Sequence, residues 1–180
     1  ALANITFRRG NFQQALSVAL ASLDISGEHN LTVSKSKGWH TCGNISLSLG
    51  SYDKTLTYYE EALSAYRVIG HEAGVASITG NIGIVYYSLG LYDKALDYYD
   101  KALAAQEKLG QISEIANVNA SIGNVYVSLG AYDKALEYFT QALGAYSTLE
   151  QKTGVAGIMG NIGIVYNSLG EYDKALECYE

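Results

Sequence analysis

Residues 80–96 read GNIGIVYYSLGLYDKAL, and the chain writes that line again as ASIGNVYVSLGAYDKAL at 120–136 and as GNIGIVYNSLGEYDKAL at 160–176. A worn copy, HTCGNISLSLGSYDKTL, occupies 40–56, and Gly10, Phe12, Ala15 and Leu16 are the remains of a still earlier one. Self-similarity at a fixed period of about forty residues marks a solenoid of stacked units, because a unit of that length cannot bury its apolar faces alone.

Within each copy the pattern is helical. Phe12, Leu16, Ala19, Leu20 and Leu23 recur at helical steps. Ser-Leu-Gly then punctuates, with Gly50, Gly90, Gly130 and Gly170 placed to adopt the left-handed conformation that closes a helix. Tyr-Asp-Lys opens the next helix and puts Asp53, Asp93, Asp133 and Asp173 in its first turn, where the helix dipole favours a negative charge. These aspartates are read as helix-start electrostatics and not as catalytic groups. The spacing predicts helices over 12–26, 31–48, 52–69, 72–88, 92–109, 112–128, 132–149, 152–168 and 172–180, with 1–9 as the end of an earlier one. The expected fold class is all-α, an α-solenoid of antiparallel helical hairpins. The expected organisation is a single array over 1–180, with a partial repeat 1–30, full repeats 31–70, 71–110 and 111–150, and a truncated repeat 151–180.

Composition narrows the function classes. Apolar residues make up 48% and charged residues 17%, the balance of a folded chain. Nineteen glycines and no proline suit helices joined by tight glycine turns. The 16 tyrosines recur evenly and so belong to the repeat, not to one active site. A net charge of −6 with no basic run argues against nucleic acid as partner. The apolar run 82–91 falls far short of the roughly 18–20 residues that cross a bilayer, so no membrane partner is expected, and no signal-peptide pattern is visible. Cys42 and Cys178 fall on different repeat positions and are read as reduced packing residues, which places the chain in the cytoplasm.

Four segments resemble the tetratricopeptide repeat signature, W-x2-L-G-x2-Y followed by A-x3-F and a closing Pro. Trp39-x2-Cys42-Gly43-x2-Ser46 is followed by Thr55-x3-Tyr59, and Thr79-x2-Ile82-Gly83-x2-Tyr86 by Ala95-x3-Tyr99. Asn119-x2-Ile122-Gly123-x2-Tyr126 is followed by Ala135-x3-Phe139, and Met159-x2-Ile162-Gly163-x2-Tyr166 by Ala175-x3-Tyr179. The closing proline is absent, and the period exceeds the common one of about 34 residues. This long form resembles the repeats of Pins/LGN polarity scaffolds, kinesin light chains and bacterial signalling arrays. The resemblance implies a right-handed superhelix whose concave groove binds an extended peptide or partner segment, within a larger signalling or scaffold protein. Gly83, Gly123 and Gly163 are expected where the two helices of a hairpin approach closely, with Ala95, Ala135 and Ala175 as flat spots on the facing helix.

On each first helix one stripe remains after the core positions are removed. Its candidate partner-binding residues are Lys37, His40 and Asn44 in the second copy and Ser77, Asn81, Ile84 and Tyr87 in the third. They continue as Asn117, Ser121 and Asn124 in the fourth and Asn161, Ile164 and Asn167 in the fifth. Steps of three and four keep them on one face. The stripe is nearly uncharged, and an asparagine amide both donates and accepts, matching the alternating N–H and C=O of a peptide backbone. Asn81 and Asn161 share one repeat position, Asn44 and Asn124 another. The same amides could instead satisfy neighbouring repeats.

No catalytic, metal-binding or cofactor-binding set is expected. His29, His40 and His71 are scattered, and neither H-E-x-x-H nor a paired Cys-x2-Cys occurs. The chain starts and stops inside a repeat, so apolar end faces are expected to be exposed. A structural, self-associating solenoid is therefore the alternative to a peptide-binding module.

Overall fold

The computed structural model describes residues 12–25 and 32–180. The helix expected at 1–9 lies outside the described residues. Among those residues every regular element is an α-helix: α1 (Phe12–Ile25), α2 (Thr32–Ser48), α3 (Tyr52–Val68), α4 (Glu72–Ser88), α5 (Tyr92–Leu109), α6 (Ile112–Ser128), α7 (Tyr132–Thr148), α8 (Lys152–Ser168) and α9 (Tyr172–Tyr179). The sequence-based bounds agree to within a residue or so, because six of the seven described turns close on a left-handed glycine.

The turn after α6 shows why. Gly130 has φ +71°, its N–H donates to the Val127 carbonyl at 3.0 Å, and the Ala131 N–H donates to the Tyr126 carbonyl at 2.9 Å. This pair of bonds satisfies carbonyls that the helix end would leave bare, and it requires a left-handed residue. The turn after α7 adopts the same conformation at Glu150, with φ +53°, without the help of glycine.

The helices form two compact units, Ala1–Leu89 and Gly90–Glu180. In the first, α1 packs on α2, α2 on α3 and α3 on α4. Ala15, Ala19, Cys42 and Ile45 are buried there, with Leu16, Trp39 and Tyr58 against them. In the second, consecutive helices pack from α5 to α9, and the first helices α6 and α8 also touch. Its core comprises Ala116, Ala135, Phe139, Ala142, Tyr146, Ile158, Ile162 and Val165.

Two kinds of glycine let the rings in. Inside a hairpin, a β-carbon on Gly123 would lie 2.5 Å from the Phe139 ring, and one on Gly163 would lie 2.6 Å from Tyr179. Gly43 stands against Tyr59 in the same way. Between hairpins, Gly74 faces Tyr66 and Gly154 faces Tyr146, rings supplied by the preceding helix. The first kind is the close approach expected from the repeat signature. The second kind was not foreseen. Burying a ring such as Phe139 contributes on the order of 1.5–3 kcal/mol, more than the helix-propensity cost of about 1 kcal/mol for the glycine beneath it.

Candidate functional site

Helices α2, α4, α6 and α8 carry the predicted stripe, and each unit uses it differently. In the first unit each amide has a side-chain partner. Asn44 is exposed, yet its Oδ1 accepts a hydrogen bond from the Tyr59 hydroxyl at 2.7 Å. Asn81 Nδ2 lies 3.0 Å from His40 Nε2. With the amide donating, His40 is the neutral tautomer protonated at Nδ1. The imidazole is half-buried, edge-on to the rings of Tyr59 at 6.3 Å and Tyr66 at 6.4 Å. Burial lowers its pKa and raises that of the Tyr59 phenol. Lys37 is exposed, Ser77 and Tyr87 are half-buried, and Ile84 is at the edge of exposure.

In the second unit the equivalent partners are missing. Phe139 stands where Tyr59 stands one double repeat earlier, and it has no hydroxyl to offer Asn124. Ala120 likewise replaces His40, and so offers Asn161 nothing. The side chains of Asn124 and Asn161 are half-buried and make no hydrogen bond among the described residues. Asn167 is exposed, and Ile164 beside it is 52% exposed. Asn117 is engaged at both ends: its Oδ1 accepts from the Tyr146 hydroxyl at 2.5 Å, and its Nδ2 donates to Glu114 Oε2 at 3.3 Å. Ser121 Oγ donates to the Asn117 carbonyl at 2.9 Å.

The structure thus brings His40 to Asn81 directly, and ties Asn44 and Asn117 to tyrosines absent from the predicted set. Sequence reasoning missed Tyr59, Tyr146 and Glu114. The available signals were the exchange of Tyr59 for Phe139 at one repeat position and the replacement of Gly74 and Gly154 by Glu114 at another. That second exchange has a physical reason. At the repeat position of Tyr66 and Tyr146 the preceding helix has Gln106, so it supplies no ring that would require a glycine at 114.

The face holds mostly amides, hydroxyls and aliphatic groups, which can pair with a peptide backbone. Among the described residues no group of three His, Cys, Asp or Glu is placed to hold a metal ion, and no helix is long and apolar enough to cross a membrane. Both cysteines are free thiols, and burial pushes Cys42 up to about 11, far from a reactive thiolate.

Helical hairpins stacked at a forty-residue period, with a polar stripe on each first helix, define an α-helical repeat array. The chain belongs to the tetratricopeptide repeat family, whose model matches residues 37–108 and 114–180. Among curated protein sequences none matches. Three solved structures show the likeness of fold. BtubC (BKLC) from P. vanneervenii is 24% identical with a TM-score of 0.82, over 98% of this chain and 74% of that one. A Rap protein complexed with competence and sporulation factor is 20% identical with a TM-score of 0.86, over 98% of this chain and 50% of that one. A P. anserina putative kinesin light chain with TPR-like repeats is 14% identical with a TM-score of 0.75, over 98% and 87%. The chain therefore spans about half the length of the Rap protein.

Proposed function

We propose that the first-helix face binds an extended segment of a partner protein, and that the chain serves as an interaction module of a signalling or scaffold protein. The observation that carries this reading is the pair of amides on α6 and α8. Asn124 and Asn161 keep the residue type that the first unit uses internally, while Phe139 and Ala120 withdraw the internal partners. Two helices that touch thus present unused donors and acceptors to an incoming backbone. Family membership supports the reading, and so do two similar folds, a Rap protein complexed with competence and sporulation factor and a Rap conjugation regulator in complex with the Phr* peptide. The free thiols support a reducing, cytoplasmic setting.

The test is Asn124→Ala with Asn161→Ala, titrated with a partner isolated by pull-down. Each neutral hydrogen bond contributes roughly 0.5–1.5 kcal/mol net, so affinity should fall by about 1–3 kcal/mol, roughly five- to 150-fold, at an unchanged melting temperature. Unaltered affinity would contradict the assignment.

A further inference from the structure

We infer that the segment taken by this face carries a basic side chain, seated on the Glu114 carboxylate. The inference rests on the peptide-binding reading and names the chemistry of its ligand. On α6 the uncharged stripe extends one turn toward the helix start, as Glu114, Asn117, Ser121, Asn124 and Ser128, in steps of three and four. Glu114 is the only ionised group in that line.

One oxygen of its carboxylate accepts a hydrogen bond from Asn117. The Tyr146 hydroxyl occupies the acceptor end of the Asn117 amide, which turns the donor end onto Glu114 Oε2. Glu114 is exposed, and the ion pairs among the described residues, Lys101–Asp97 and Lys174–Glu171, do not involve it. An oriented carboxylate with open lone pairs suits a guanidinium or ammonium group. The surroundings favour a cation as well. Residues 90–180 carry 12 acidic and six basic side chains, whereas 1–89 carry six of each, so the net charge of −6 belongs to the second unit. Such a field draws a cationic segment toward this unit.

Position 114 is also distinctive within the array. Gly74 and Gly154 lie under the rings of Tyr66 and Tyr146, where no side chain fits. The preceding helix has Gln106 instead of that tyrosine, and α6 carries a carboxylate at the position of the two glycines.

The experiment pans a random dodecapeptide phage library on the whole chain. The selected peptides are then titrated by fluorescence against the wild type, Glu114→Gln, and the Asn124→Ala/Asn161→Ala pair. Glu114→Gln keeps the acceptor for Asn117 and removes only the charge. We expect Lys or Arg at one fixed peptide position and binding about two- to fivefold weaker to Glu114→Gln. Norleucine at the basic position should lose a similar factor, the two losses should not add, and both should shrink at high salt. Peptides that lose affinity in the asparagine double mutant but show neither a basic position nor a response to Glu114→Gln would overturn the Glu114 assignment and leave the binding face standing. Peptides that ignore the asparagine double mutant, or a panning that enriches none, would overturn the binding face and this inference together.

Discussion

Tyr59 and Phe139 differ by one hydroxyl, and that oxygen determines whether the asparagine across from it is engaged. Both rings are fully buried over a glycine, so their packing role is shared. At this scale the repeat signature was legible: Gly123 lies beneath Phe139 as expected, and Ala135 is fully buried. Replacing Gly123 with Leu should destabilise by about 1–3 kcal/mol or more through overpacking, despite the better helix propensity of leucine. Asp133→Asn, which alters only a charge at the start of α7, should cost well under that. Thermal melts of the two variants check this, and equal losses would contradict the packing assignment of Gly123. The partners of Asn44 and Asn117 were not legible. A hydrogen bond from the far helix of a hairpin depends on how the rings lie across the interface, which periodicity along one helix does not encode.

At the scale of the element, helix bounds were legible because every described turn pairs a left-handed residue with a helix-start aspartate or polar group. The start of α4 is a variant: His71 Nδ1 accepts from the Gly74 N–H at 2.8 Å, a cap made by an imidazole. On α2, His40 stays neutral against Asn81 and between two tyrosine rings, and its pKa is lowered by burial. The unfolded chain therefore takes up the His40 proton first as pH falls. Stability that is complete above the ordinary histidine value of about 6.5 should decline as pH drops below it, until the lowered folded value is reached. The slope of denaturation midpoint against pH between about 7 and 5 measures this. His40→Gln, which keeps a hydrogen-bonding group for Asn81, should flatten the slope. A slope unchanged by that substitution would assign the proton uptake elsewhere.

Across the whole chain, two successive hairpin pairs share a signature and diverge in what they leave unused. The first unit is charge-balanced and engages its stripe amides internally, while the second carries the net charge and leaves Asn124 and Asn161 without internal partners. The array and its stripe were readable from the repeat register, because both follow from helical period and turn chemistry. The division of labour was not, because it depends on which side chains meet across helices, and the exchanges of Tyr59 for Phe139 and His40 for Ala120 do not by themselves show that. The measurement that tests this contrast most directly is the affinity of Phe139→Tyr for a peptide selected on the wild type, read with its melting temperature. Restoring the hydroxyl should let residue 139 donate to Asn124 as Tyr59 does to Asn44. Binding should then weaken by about two- to tenfold, the worth of one neutral hydrogen bond, with no loss in melting temperature. A variant that melts as high or higher and binds as tightly as the wild type would contradict the claim that the unengaged amide of Asn124 serves the partner.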